Sequence, residues 1–481
     1  MENQNIAPIA DAMKNYSNDG ALAFHTPGHK QGLGAHFLLK ELIAPEGLRR
    51  EVSLMEELDD LHSPKTCIKD AQNLAAQLWN ADAAFFMING TTSAIQAMIM
   101  STLNPGDLVF IPRNAHRSVI SGLILSGARP VYLAPEYNSN FQIPLNLSVE
   151  TIKQAIALYP AAKALIIVSP NYYGVAADLP EIAKILHEHK MLLLVDEAHG
   201  AHLHFNENLP ISALDAGADI VAQSTHKLLG SLTQTSMLFV KSKFVDIERV
   251  KRVSSLLQST SPNYLLLASL DIARLQMYEN GAFLIKRAID LSKTLRTEIY
   301  KIDGLRTFDK IKNFSLDFTK VTVNVSALGI SGNSAENILR HKFKIQCELS
   351  DANNILFLIT YADNDNTIDK LIIALKNLTA NFHKETIYQK IYSPINKKIT
   401  PSVLTPRDAF YSPVSSVKLN DATGKVCAEE ITFYPPGIPI LYPGELITSD
   451  IINEILALKN TGSHVIGAAD NKLDTIKIVD F

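Results

Sequence analysis

Cysteine is scarce in this chain: Cys67, Cys347 and Cys427 are the only three in 481 residues, far apart and odd in number. No CxxC pair occurs, which argues against a zinc ribbon or a disulfide framework. Reduced thiols in a reducing compartment are expected. An excess of one charge is lacking too. Lysine and arginine number 45 against 49 aspartates and glutamates, a formal net charge of −4, so nothing favours nucleic acid or an anionic membrane surface as partner. Apolar runs such as 192–195 have strand length, far below the ~20 residues that span a bilayer. Residues 1–19 are polar and lack the charged-then-apolar layout of a signal peptide. A cytoplasmic protein is expected. Two nucleotide motifs are also missing: no GxGxxG follows an apolar run, and Gly424-Lys425 is followed by Val426 rather than Ser or Thr.

What the chain has is alternation. Apolar runs at 83–88, 108–111, 130–133, 164–168, 191–195 and 219–222 read as buried strands. Between them, 92–103, 118–125, 149–158 and 179–189 read as helices. Continuous apolar strands separated by helices predict an α/β fold with a mostly parallel sheet covered on both faces. Ligands in such sheets gather beyond the carboxyl ends of strands. A helix-rich stretch at 261–302 follows. Then the pattern resets, with strands at 320–325, 345–348 and 355–360 and helices at 334–340 and 366–378: a small α+β domain. From about 387 onward prolines accumulate, from Pro394 to Pro443, as in a loop-rich terminal module. The expected division is an N-terminal arm at 1–20, a large domain at 21–303, a small domain at 304–386 and a C-terminal module at 387–481.

The predicted strand ends offer groups that fit pyridoxal 5′-phosphate (PLP). Asp196 directly follows the run 191–195, where a carboxylate could pair with the pyridinium nitrogen and keep the ring an electron sink. A strand-end aspartate could equally cap a turn. Lys227 lies in Gln223-Ser224-Thr225-His226-Lys227, 31 residues after Asp196, about one βαβ step. A lysine partly buried there can have its pKa lowered and serve as a Schiff-base amine, although most lysines are solvated surface groups. Asn89-Gly90-Thr91-Thr92-Ser93 joins a strand to a helix. Its glycine, free N–H groups and hydroxyls suit a phosphate, and equally an ordinary helix cap. Ser224 is a further phosphate donor candidate. His116 follows another strand and could stack on a ring, and His199 could bond Asp196 or a substrate. His199, His202 and His204 could also read as metal ligands, but no carboxylate–histidine helix spacing supports that, and no metal is expected.

These segments resemble the Orn/Lys/Arg decarboxylase family in its short form. The resemblance is carried by Phe24-His25-Thr26-Pro27-Gly28-His29-Lys30-Gln31-Gly32, Leu58-Asp59-Asp60-Leu61-His62, residues 89–94, Asp196-Glu197-Ala198-His199-Gly200 and Ser224-Thr225-His226-Lys227. Near the C-terminus Tyr434-Pro435-Pro436-Gly437-Ile438-Pro439 and Pro443-Gly444-Glu445 match as well. It implies a fold-type I, aminotransferase-like large domain, with the smaller α+β domain and the C-terminal module appended. It also implies Lys227 as the Schiff-base lysine, Asp196 as the pyridinium partner and His116 as the ring-stacking histidine. Gly90, Thr91, Thr92, Ser93, Ser224 and His226 fall at the phosphate end, with the choice between Thr91 and Thr92 open. Glu429 falls where a contact for the substrate's distal cation is expected; it could otherwise be a solvated charge beside Glu430.

The implied reaction is decarboxylation of a basic amino acid, arginine to agmatine first, with lysine or ornithine as alternatives. His226 or Lys227 would reprotonate the substrate, His199 would assist, and the enzyme would be a homodimer or a larger dimer-based assembly. Asn171, Leu228 and Phe433 depart from the family pattern and bear on subfamily rather than cofactor. A PLP aminotransferase and an inactive regulatory paralogue are the other readings. The former typically clamps the α-carboxylate with a C-terminal arginine, and Arg407 is the only one after Arg340.

Overall fold

The structure, a computed structural model, describes residues 3–380, 400–434, 438–459 and 464–480. The chain forms two compact units. The first comprises Met1–Thr102, Leu194–Phe205 and Ser212–Ala282; the second comprises Leu103–Leu193, Asn206–Ile211 and Phe283–Phe481.

In the first unit, strand Ala83–Met87 pairs antiparallel with Ser236–Val240, which pairs antiparallel with Ile220–Gln223. The last three residues of strand Leu192–Asp196 then run parallel to Ile220–Gln223, with Asp196 opposite Ala222. Three strands therefore point the same way and bring their carboxyl ends to one edge. Ile220–Gln223 and Ser236–Val240 are buried at every position, as a sheet covered on both faces requires. Ser236–Val240 was not among the expected strands.

Helix Cys67–Leu78 has no local side-chain cap; Asp59 supplies one from a distance. Its Oδ2 accepts the N–H groups of Thr66, Ile68 and Lys69 at 2.8, 3.1 and 3.3 Å, and its Oδ1 those of Asp60 and Lys65 at 2.8 Å. Burial pushes the Asp59 pKa up, but these donors outweigh it and hold the carboxyl below its ordinary value. The Leu58–Asp60 stretch of the motif is thus a capping device.

In the second unit, Leu108–Pro112 runs parallel to both Arg129–Leu133 and Ala164–Val168, and Thr400–Pro401 adds an antiparallel edge. The helices between them start on side-chain caps: His116 for Arg117–Ser126, Ser148 for Val149–Leu158, Asp178 for Leu179–Glu188. A separate antiparallel sheet, with Asn354–Leu358 between Lys320–Asn324 and Leu349–Ser350, packs with helices Gly332–Phe343 and Asp365–Ala380 around Val321, Val323, Leu339, Ile355 and Leu375. The expected strand at 345–348 does not form. Lys344 closes the preceding helix in the left-handed conformation (φ 58°), and the Ile345 N–H returns to the Leu339 carbonyl. The Ile345 N–H therefore serves a helix C-cap, and the pairing with Asn354–Leu358 starts only at the Glu348 N–H, bonded to the Leu356 carbonyl at 2.9 Å.

The C-terminal segment is more regular than its prolines suggest. Strand Ile431–Tyr434 lies between Ile438–Leu441 and His464–Ile466, Val414–Lys418 pairs with Thr475–Val479, and helix Ser449–Lys459 covers a core of Ile431, Phe433, Leu441, Ile447, Ile455 and Leu473. Pro406 sits in the first turn of helix Pro406–Tyr411, where its missing N–H costs nothing. Among the described residues, no helix is long and apolar enough to cross a membrane.

Candidate active site

The carboxyl edge of the first unit gathers most of the candidate residues. Asp196, the last residue of its strand, is 2% exposed, and its Oδ1 accepts the Ala198 N–H at 3.0 Å. That is the turn-capping contact of the plainer reading, and a carboxylate keeps further acceptor capacity beyond it. Glu197, to which the sequence assigned no role, is fully buried. Its oxygens accept the Ala213 N–H at 2.7 Å and the Gln223 amide at 2.6 Å. Burial raises its pKa to about 8, against the lowering effect of those bonds.

Lys227 stands in the one-turn helix Thr225–Leu228 after strand Ile220–Gln223, with Nζ 3.0 Å from His199 Nε2. An ammonium only donates, so His199 Nε2 accepts while Lys227 is charged. The His226 Nδ1 lies 2.7 Å from the Thr235 carbonyl oxygen. A carbonyl only accepts, so Nδ1 carries a hydrogen and the other ring nitrogen, Nε2, is left to gain or lose a proton.

Helix Gly90–Thr102 begins at the same edge. Gly90 has φ +79° with open space where a Cβ would sit, so the backbone conformation requires glycine here. The hydroxyls behind it form a directed chain. Ser236 Oγ donates to the Gln223 carbonyl at 2.7 Å, so Thr91 Oγ1 must donate to Ser236 Oγ at 3.0 Å. Ser224 Oγ must then donate across its 2.5 Å contact with Thr91. Each hydroxyl has one hydrogen, so Thr91 and Ser224 spend theirs within the chain. Ser93 Oγ turns back to the Gly90 carbonyl, and Thr92 is exposed.

His204 pairs with Asp215 at 2.7 Å, and among the described residues no group of three or more His, Cys, Asp or Glu could hold a metal ion.

The other two candidates belong to the second unit. His116 is exposed and caps its helix, Nδ1 accepting the Ser118 N–H at 3.2 Å. Glu429 is 9% exposed, and its two oxygens accept the N–H groups of Lys477 and Ala469 at 2.7 Å each. Pro435–Gly437 of the Tyr-Pro-Pro-Gly motif lie outside the described residues.

Sequence reasoning missed a buried ion pair in this unit. Arg113 Nη2 reaches Glu445 Oε1 at 2.5 Å, Glu445 Oε2 accepts the Tyr442 N–H at 3.0 Å, and the Tyr442 hydroxyl donates to the Arg113 carbonyl at 3.0 Å. Tyr132 stacks on Tyr442 at 4.6 Å. Gly444 is obligatory beside it: at φ +89° an added Cβ would lie 2.4 Å from the Leu404 carbonyl oxygen. The Pro-Gly-Glu motif was the available signal, but its partner is 332 residues away. Asn171 is fully used, its amide donating to the Pro144 and Leu145 carbonyls and accepting from Tyr173 and Val175. Arg407 donates to the Ile124 and Leu125 carbonyls, closing helix Arg117–Ser126.

Comparison with known proteins bears on this arrangement. The family described as Orn/Lys/Arg decarboxylase, major domain, matches residues 7–324, and the corresponding C-terminal domain matches 387–470. The chain is 40% identical to an arginine decarboxylase of Bacillus anthracis over 98% of this chain and 97% of that protein. It is 38% identical to an arginine decarboxylase of Bacillus subtilis over 99% and 98%. A lysine decarboxylase of Pseudomonas aeruginosa is 30% identical over 62% of this chain and 43% of its own length. Among solved structures, the lysine decarboxylase of Francisella novicida superposes with a TM-score of 0.84 at 22% identity, covering 99% of this chain and 81% of that one. An alanine–glyoxylate aminotransferase from Nostoc sp. gives 0.54 at 19% identity over 65% and 86%. These structural likenesses establish the fold.

Proposed function

Since the chain belongs to the Orn/Lys/Arg decarboxylase family, we propose that it removes the α-carboxylate of arginine, giving agmatine and carbon dioxide, with PLP held at Lys227. The observation that carries this reading is the shared edge. Asp196 and the Ser224–Lys227 turn leave adjacent parallel strands, and the N-terminus of helix Gly90–Thr102 opens beside them. The donor set there fits PLP: an amine, a buried carboxylate, and helix N–H groups that lack intrahelical acceptors.

When bound, PLP supplies the sink for the electron pair left on Cα as carbon dioxide departs. The chain's own residues do the rest. Asp196 holds a proton on the ring nitrogen. The N–H groups of residues 91–93 take the phosphate, with the Thr92 hydroxyl favoured over that of Thr91, whose hydrogen is committed to Ser236. His226, fixed through Nδ1, holds its exchangeable proton at Nε2 for delivery to Cα, and Lys227 Nζ, resting on His199, is the alternative donor. His116 is the candidate to stack on the ring.

Glu429 is the proposed contact for the substrate's distal cation. Each of its oxygens accepts one backbone N–H and keeps a lone pair, enough for a two-pronged guanidinium. The full-length relatives near 40% identity bear the arginine name, and this favours arginine over lysine or ornithine. The aminotransferase reading loses support because Arg407 is committed to a helix end.

A second copy of the chain is proposed to cover the N-terminal segment, where the large apolar side chains of Leu22, Phe24, Leu33 and Leu42 are 83%, 91%, 85% and 81% exposed and would be buried by such a contact. The division at 1–20, 21–303, 304–386 and 387–481 is proposed with it, supported at its C-terminal end by a separate core within 419–478, while the core of the small domain also draws Leu291, Leu295, Ile299 and Ile302 from the segment before it. Buried, reduced Cys67 and Cys427 agree with a cytoplasmic location.

The test is kcat/KM for arginine, lysine and ornithine, measured in parallel and repeated with Glu429→Gln. Lysine or ornithine winning by about tenfold, about 1.4 kcal/mol in transition-state binding, would overturn the arginine assignment. An unchanged kcat/KM in Glu429→Gln would remove Glu429 from the site.

A further inference from the structure

The turn from strand Ala83–Met87 into helix Gly90–Thr102 is held by two glutamine side chains that belong to neither element. The backbone ladder with Ser236–Val240 ends at the pair Met87 and Ser236. Beyond it, Gln234 turns the neighbouring chain away at φ +84°. Its side-chain amide then donates to the Ile88 carbonyl at 2.6 Å, and its main-chain carbonyl accepts the Gly90 N–H at 2.9 Å.

On the opposite flank Ala83–Met87 is an edge strand. There the buried amide of Gln258 accepts the Ile88 N–H through Oε1 at 2.8 Å and donates to the Phe86 carbonyl through Nε2 at 3.2 Å. In a parallel sheet one residue of a neighbouring strand donates to the carbonyl of i−1 and accepts the N–H of i+1. The Gln258 amide reproduces that pair opposite Met87. Asn89 adds a bond to the Leu257 carbonyl at 3.2 Å, and His62 fixes Ser255 and the Ser259 carbonyl on either side of Gln258 at 2.8 Å each.

We propose that Gln234 and Gln258 are positioning residues for the phosphate-binding turn, setting the direction of the N–H groups of residues 91–93 without touching the ligand themselves. The proposal rests on the reading of this turn as the phosphate end of a PLP site. Backbone N–H groups bind an anion well only when they converge on it, so an unclamped turn should lose affinity for the phosphate and not for the ring.

The experiment compares dissociation constants of the apoprotein for PLP and for pyridoxal, which lacks the phosphate, in wild type, Gln258→Ala, Gln258→Glu and Gln234→Gly. Glycine at 234 accepts the positive φ while deleting the amide, so that variant carries the test should Gln258→Ala fail to fold. The expected result is a fall in the PLP-over-pyridoxal affinity ratio of about tenfold, with melting temperatures recorded alongside. A ratio within about threefold of wild type, whether both ligands weaken together or neither does, would overturn the proposal. Wild type binding PLP no better than pyridoxal would instead defeat the cofactor reading on which it rests.

Discussion

Replacing Glu445 by alanine should loosen the C-terminal segment by a predictable amount. The Arg113 and Glu445 side chains are only 5% and 7% exposed, and the pair is held at 2.5 Å with a second contact from Nη1 at 3.3 Å. Burial alone would lower the Arg113 pKa, and the Glu445 charge and hydrogen bond more than reverse that. Without Glu445 the guanidinium keeps its desolvation cost and loses its compensation, while the Tyr442 N–H loses its acceptor. Breaking a buried pair in this way costs roughly 3–5 kcal/mol, or about 10²- to 10⁴-fold in a local opening equilibrium.

The amides of Cys427, Gly444 and Ile447, bonded to Glu445 O, Cys427 O and Lys425 O, should exchange with solvent hydrogen faster by that factor. The double variant Arg113→Leu/Glu445→Leu should recover most of the loss, because an apolar pair of similar bulk avoids the stranded charge. Arg113 stands three residues before His116 and receives the Tyr442 hydroxyl on its carbonyl. Decarboxylation should therefore fall in the single variant as well. An exchange change below about tenfold, or a double variant no better than the single one, would refute this reasoning.

Other outcomes follow from the same geometry. Glu197, with its folded pKa raised to about 8, contributes stability that is complete below the ordinary glutamate value and is lost as pH rises through 8. Wild-type unfolding free energy should carry a downward slope between pH 5 and 8 of up to about 1.4 kcal/mol per pH unit from this group. Glu197→Gln should flatten that slope in denaturant melts. Asp196→Ala should retain the fold by circular dichroism and lose at least about 10²-fold in kcat, of the order of a general acid–base or electrostatic contribution; near-normal turnover would remove Asp196 from the ring nitrogen. Light scattering should find a dimer or larger assembly, and Phe24→Glu, which charges an exposed apolar surface, should shift it toward monomer.

The strands were legible because their residues are apolar without interruption, and the 31-residue spacing of Asp196 and Lys227 became a site because the strands before them are parallel neighbours. The question between Thr91 and Thr92 was not legible. It turns on which hydroxyl hydrogen the Ser236 and Ser224 contacts consume, and those residues lie more than 130 positions away. Glu197 with Gln223, Gln258 with Ile88 and Arg113 with Glu445 escaped for the same reason: polar pairs distant in sequence carry no periodicity. Asp59 was quoted within a motif, yet its work as a remote helix cap depends on a chain reversal that the motif does not spell out.

The most direct measurement is the site of covalent attachment. Purified protein incubated with PLP and reduced with borohydride, then digested and sequenced by mass spectrometry, should carry the cofactor on the peptide containing Lys227 and yield agmatine from arginine before reduction. Lys227→Ala should show neither the modified peptide nor the product. Cofactor trapped on a different lysine, or undiminished agmatine formation by Lys227→Ala, would contradict the account.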